Sequence, residues 1–99
     1  MTVVHWSHKA RTRLREIHAY IAQDSSLYAT QMVDRLTRRG EQLAAVPRVE
    51  RRVPEYPEDD LREVLERPYR LIFQVSPDRI DILTIKHYRQ RLPAQAADL

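Results

Sequence analysis

Residues 61–91 read LREVLERPYRLIFQVSPDRIDILTIKHYRQR, and the alternation inside them decides the fold. Tyr69, Leu71, Phe73 and Val75 share one parity while Arg70, Ile72 and Gln74 take the other, the period of a strand with two different faces. Before it, Leu61 to Leu65 mixes apolar and charged residues and stops at the turn signal Arg67-Pro68. After it, Ser76-Pro77-Asp78 supplies a tight turn, with Pro presetting φ and the flanking side chains bonding local backbone. Ile80 to Tyr88 is a third, β-branched run. Connections this short make the three strands antiparallel. The last strand runs into Lys86-His87-Tyr88-Arg89-Gln90-Arg91, a polar cluster and the first place to look for function.

The residues before this sheet predict what lies on it. Thr2 to Trp6 is a short β-prone stretch expected to join the sheet, and Ser7 is placed to cap a first helix. Ala10, Leu14, Ile17 and Ile21 recur at helical spacing and form one apolar stripe. Asp24-Ser25-Ser26 interrupts the pattern and can cap a second helix, whose expected seam is Ala29, Val33, Leu36, Gly40 and Leu43. Gly40, the one glycine in the chain, costs about 1 kcal/mol in a helix relative to Ala, so close backbone approach is the reason to keep it. Pro47 is expected to end that helix. Two amphipathic helices joined by a polar turn need an apolar surface, and the sheet provides one. The expected organisation is a single domain, 1–99: a strand over 1–6, a helical hairpin over 7–47 and a connector over 48–60 with little regular structure. The sheet follows over 61–91, its far face open, and a frayed tail runs over 92–99.

Composition narrows the function. A chain of 99 residues buries only about two thirds of its unfolded surface, so a binding partner matters to its stability. No apolar run is long enough to span a membrane, and the N-terminus does not read as a secretory signal. Without cysteine there are no disulfides, thiol nucleophiles or thiolate zinc sites, and a cytoplasmic location is expected. His5, His8 and His18 show no metal-ligand spacing, so neither metal nor cofactor is expected. The net charge of +3 sits unevenly: residues 1–47 carry seven basic and four acidic groups, residues 48–99 ten of each. Lys9, Arg11, Arg13 and Arg15 crowd the start of the first helix, where the dipole disfavours cations by roughly 0.3–1 kcal/mol each. That pattern suits an acidic partner, and a solvated face held by tertiary packing is the plainer alternative.

The order of elements resembles the ParE/RelE superfamily of toxins from bacterial type II toxin–antitoxin systems, over essentially the whole chain. Trp6-Ser7 with Ala10, Leu14, Ile17 and Tyr20-Ile21-Ala22 is similar to the opening of ParE-type toxins. Val46-Pro47 and Arg52-Val53-Pro54-Glu55 resemble their middle segment, although Arg51 stands where members often have Gly. Arg62-Glu63-Val64, Tyr69-Arg70-Leu71-Ile72-Phe73 and Ile82-Leu83-Thr84-Ile85-Lys86-His87, with Arg89, resemble the closing strands. The resemblance implies an α+β fold: an N-terminal strand, an antiparallel two-helix hairpin and a three-stranded antiparallel sheet. It also implies a toxin held inactive by a ParD-like antitoxin, with operator DNA met only through the antitoxin.

Two activities occur in the superfamily. ParE-like members block DNA gyrase, and the ending Lys86-His87-Tyr88-Arg89-Gln90-Arg91 looks like theirs; target contacts are then expected at Arg62, Arg70, Lys86, His87, Arg89 and Arg91. Antitoxin contacts are expected at Arg11, Leu14, Arg15, Ile21, Val33 and Leu36. RelE-like members cleave messenger RNA on the ribosome, and that alternative assigns catalysis to Arg52, Arg70, His87 and Tyr88. Metal-free RNA cleavage needs a base, a cationic clamp and an acid. Glu50, Glu55 or Glu63 then serves as base, Arg52 and Arg70 as clamp, and His87 or Tyr88 as acid. Strand parity leaves open whether Lys86 and Tyr88 or His87 and Arg89 share a face with Arg70, and pairing with Glu63 is the structural alternative for Arg70.

Overall fold

A computed structural model describes residues 2–45 and 51–99. The chain forms β1 (Val3–Trp6), α1 (His8–Ala22), α2 (Ser26–Glu41), β2 (Arg51–Arg52), β3 (Leu61–Glu66), β4 (Tyr69–Val75) and β5 (Arg79–His87). The five strands make one mixed sheet in the order β1-β5-β4-β3-β2. The three expected strands are its centre, paired antiparallel. On one side β1 joins β5 in parallel, and on the other β2 extends the sheet from within the connector expected to lack regular structure. The residues flanking that strand at 46–50, including Pro47, lie outside the described set.

Both helices start where short hydroxyl side chains satisfy an otherwise orphaned backbone N–H. Ser7 Oγ accepts from Ala10 N at 3.0 Å and donates to Leu83 O at 2.8 Å, so one side chain caps α1 and ties it to β5. Ser25 Oγ accepts from Tyr28 N at 3.1 Å. The α-helical part of α2 ends at Glu41, earlier than expected, and a 3-10 turn over Gln42–Ala44 completes it. Its buried stripe is Ala29, Met32, Leu36 and Gly40. Met32 takes the core position expected for Val33, because a first step of three residues keeps the stripe in line with Leu36; Val33 is half-buried.

The sheet has a core on each face. Against the helices lie Leu71, Phe73, Ile80, Ile82 and Ile85 with Ala10, Ile17, Met32, Leu36 and Leu43. The opposite face, expected to stand open, buries Ile72 and Leu61 beneath Val53, Tyr56, Leu92 and Leu99. Leu99 is only 7% exposed, so the expected frayed tail is packed structure. Tyr56 fastens it, its hydroxyl donating to Pro93 O at 2.7 Å.

An irregularity in β5 resolves the parity question. Val75 pairs with Ile80 and Phe73 with Ile82, but Ile72 pairs with Thr84, so β5 carries an extra residue at Leu83. Even-numbered Ile80 and Ile82 face the helices before the bulge; odd-numbered Ile85 faces them after it. By register, His87 therefore stands opposite Tyr69 on the helix face, and Lys86 opposite Arg70 on the other.

Gly40 is the point of closest approach between α2 and the sheet. A Cβ there would overlap Trp6 Cζ2 and stand 2.7 Å from Trp6 Cη2 and 2.9 Å from Ile82 Cδ1. Trp6 Nε1 also donates to Glu41 Oε1 at 3.0 Å, which helps hold the indole against the glycine. Gly40→Ala is therefore expected to lower unfolding free energy by about 1–3 kcal/mol despite its better helix propensity. Urea unfolding checks this, and a stabilised variant would refute the close-approach account.

Candidate functional site

Arg70 is the most constrained cation in the molecule. Its side chain lies on the sheet face away from the helices, 6% exposed. Nε donates to Glu63 Oε1 at 2.7 Å, Nη1 to Glu55 Oε2 at 2.8 Å and Nη2 to Glu55 Oε1 at 2.7 Å. Glu63 is fully buried and also accepts from Arg51 Nε. The expected pairing of Arg70 with Glu63 is thus present, reached on the diagonal because Leu65 and not Glu63 stands opposite Arg70. Hydrogen bonding to Arg70 holds the Glu55 carboxyl below the usual carboxylate range, and the same bonds push Arg70 further above the ordinary guanidinium value. A guanidinium with three N–H positions occupied by carboxylates has little left for a phosphate, and a carboxylate with a lowered pKa is a weaker base.

The four positions suggested for RNA cleavage divide between the faces. Arg70 and Tyr88 line one cleft of about 380 Å³ with Glu55, Arg51 and Arg67. Arg52 pairs by register with Arg62 on the helix-facing side, exposed and 3.5 Å from Asp60 Oδ1. His87 is also on the helix face, its ring meeting Tyr69 edge-on at 5.4 Å and 89°. The structure brings Arg70 and Tyr88 together and separates both from Arg52 and His87.

The strand-end cluster has its own geometry. His87 Nδ1 accepts from Arg89 N at 3.0 Å, the His87 N–H donates to Gln90 Oε1 at 2.7 Å, and Tyr88 N donates to Pro68 O at 2.9 Å. These bonds fold residues 87–90 into a turn that leaves Tyr88, Arg89 and Arg91 exposed. Arg62 is half-buried on the helix face opposite Phe73.

Across the sheet, a second cleft of about 360 Å³ opens between α1 and the ends of β4 and β5, lined by Arg13, Ile17, Tyr20, Tyr69, Ile85 and His87, among others. The composition alone did not point to it, because its walls come from three separated elements. Burial raises the pKa of the Tyr69 hydroxyl. Tyr20 at its rim is 72% exposed, and Leu27 and Tyr28 are exposed at the start of α2. Of the positions expected to meet a partner, Arg11 and Arg15 are exposed, Leu14, Ile21 and Val33 half-buried, and Leu36 enclosed in the core. Lys86 is half-buried; desolvation, then the charges of Arg13 and Lys9, lower its pKa. Among the described residues no group of His, Asp or Glu is placed to hold a metal ion.

Two outcomes test the ion network. Arg70→Met leaves the buried Glu63 with Arg51 as its remaining cation and is expected to cost up to about 3–5 kcal/mol, with part recovered when Glu63→Gln is added; urea unfolding of the single and double variants measures both. Hydrogen bonding to Arg70 puts the folded-state pKa of Glu55 below its unfolded value, so its contribution is present at neutral pH and is lost as pH falls through the folded pKa. Wild-type stability is therefore expected to fall more steeply on acidification than that of Glu55→Gln, and parallel pH curves would contradict it.

Comparison with known proteins agrees with this architecture. A family described as "ParE toxin of type II toxin-antitoxin system, parDE" matches residues 4–92. Among solved structures, a chain from one described as "Chromosomal ParDE TA system from P. aeruginosa" superposes with a TM-score of 0.74 at 26% identity. The match covers 88% of this chain and 96% of that one. No curated protein matches. With the family match running from β1 through Leu92, across both helices and the whole sheet, the chain belongs to the ParE toxin family of type II toxin–antitoxin systems.

Proposed function

We propose that this ParE-family toxin inhibits DNA gyrase by binding, without chemistry of its own, and is neutralised by a ParD-like antitoxin in a tight complex. The observation that carries this reading is the state of Arg70. The residue that a ribonuclease would use as its phosphate clamp is saturated by Glu55 and Glu63. Its expected partners Arg52 and His87 lie on the other face of the sheet. Arg89 and Arg91 are exposed cations presented at the end of β5 beside Tyr88. Tyr and Arg in such a cluster are the residue types that dominate protein–protein binding energy. The antitoxin reading draws on the family and on α1, whose exposed Arg11 and Arg15 form an electropositive approach for an acidic segment. No helix among the described residues is long and apolar enough to cross a membrane, and a cytoplasmic site of action accords with a gyrase target.

The deciding experiment uses the purified toxin with gyrase and relaxed plasmid. Supercoiling is expected to stop and covalent gyrase–DNA complexes to accumulate, with reversal on adding the antitoxin. Replacing Arg89 and Arg91 by Gln is expected to weaken inhibition about tenfold or more and to flatten its salt dependence. Inhibition unchanged by that pair would remove the strand end from the contact. If gyrase is untouched while ribosome-bound message is cut, the cleft holding Arg70, Tyr88 and Glu55 becomes the catalytic candidate. For the antitoxin, replacing Arg11, Arg13 and Arg15 by Gln is expected to slow association about tenfold at low salt, leaving dissociation nearly unchanged. Surface plasmon resonance separates the two rates, and an unaltered association rate refutes steering by α1.

A further inference from the structure

The cleft of about 360 Å³ between α1 and the ends of β4 and β5 joins an apolar floor to hydrogen-bond donors that have nothing to bind. Ile17 and Ile85, both buried, form the floor, and the Tyr20 ring stands at the rim. Three donors line the same space. Arg13 gives Nη1 to Glu16, and its other N–H groups find no acceptor among the described residues; Nε is buried in that state. His87 Nδ1 accepts from Arg89 N, which fixes the neutral ring as the tautomer with its proton on Nε2. That Nε2–H also lacks an acceptor among the described residues. Tyr69 meets the His87 ring edge-on at 5.4 Å. Its hydroxyl makes no hydrogen bond to a described residue and is open to the cleft rather than sealed. Glu16 is the one acid among the described lining residues, and it is already paired with Arg13. With Lys9, Arg11 and Arg15 also on α1, the field at this helix favours an anion. A buried donor without an acceptor is costly, and an oxygen of a bound ligand would satisfy it.

We propose that this cleft binds a small aromatic carboxylate, its flat ring against Ile17, Ile85 and Tyr20 and its carboxylate on Arg13, His87 Nε2 and the Tyr69 hydroxyl. The volume lies within the range of ligand sites, roughly 300–1,000 Å³, and apolar walls with a few donors are the usual make-up of such sites. The Nε–Nη2 edge is the unused fork of the Arg13 guanidinium, the geometry that takes both oxygens of a carboxylate. The Arg13 side chain is 36% exposed and can turn that edge into the cleft it lines. Burial raises the pKa of the Tyr69 hydroxyl, so it stays protonated and able to donate. A flat ring stacks on Tyr20, which a saturated ring of similar size cannot do. A neutral amide keeps one acceptor and forfeits the charge-assisted bonds. His87 ties the site to the strand end, because the ring that offers Nε2 to the ligand holds the Arg89 N–H on Nδ1. The site is independent of the gyrase and antitoxin readings, since neither protein enters its test.

The test titrates isotope-labelled full-length protein with 2-naphthoate and follows its amide and imidazole resonances by NMR. Shifts are expected at Ile85, at His87 including its Nε2 signal, and at Arg89 through the Nδ1 bond. The neutral 2-naphthamide is expected to bind about tenfold more weakly. Arg13→Gln is expected to erase the preference for the acid. Tyr69→Phe, which removes one hydroxyl and keeps the packed ring, is expected to weaken 2-naphthoate severalfold and stays informative if Arg13→Gln fails to fold. Arg67→Gln removes an equal charge from the other cleft and is expected to leave both affinities unchanged. Equal affinity for acid and amide, or a loss in Arg67→Gln as large as in Arg13→Gln, overturns the carboxylate assignment. Absence of binding, or shifts that miss His87 and Arg89, overturns the site.

Discussion

A fully buried carboxylate with no water to solvate it requires its cations, and Glu63 is that carboxylate. It draws Arg70 from β4 and Arg51 from β2, and Arg70 in turn holds Glu55 in the segment that leads into β3. A two-residue edge strand has few ladder bonds of its own, so the ion network fixes where β2 lies against β3. The same network ties Arg51, Glu55, Glu63 and Arg70 to one another on the sheet's far face.

The sheet divides labour between its faces. One buries the helical hairpin and leaves a cleft rimmed by Tyr20 and Arg13; the other packs the connector and the tail around Ile72 and beside Arg70. The end of β5 is where the two meet. Lys86 and His87, adjacent in sequence, look to opposite sides, and the turn after them displays Tyr88 and Arg89 to solvent. On the proposed reading, an antitoxin along the helices and a second macromolecule at the strand end would meet surfaces with little overlap.

The sequence made some of this plain and concealed the rest for identifiable reasons. Alternation in 69–75 assigned both faces of β4, because hydrophobic period survives any tertiary detail. Ser7, Ser25 and Gly40 were legible because each has a local physical reason to be what it is: two caps and one contact too tight for a methyl group. The facing of His87 was not legible, since an extra residue at Leu83 inverts parity within a run apolar on both sides. β2 was hidden because Arg51-Arg52 carries no strand pattern and depends on a buried acid twelve residues later. The tail read as frayed because Leu92 and Leu99 are isolated apolar residues whose burial depends on a sheet face formed elsewhere.

The parallel pairing of β1 with β5 also orders events in time. Val3 is partnered by Arg79 and Trp6 by Ile82, so the first strand made must wait for the last. Trp6, whose indole covers Gly40, cannot take its place on Ile82 until β5 has left the ribosome. A contact spanning that much chain carries the entropy of closing a long loop and tends to slow folding. A nascent chain emerging residue by residue thus cannot complete this sheet until β5, with the turn that carries Arg89 and the Arg91 beyond it, has appeared.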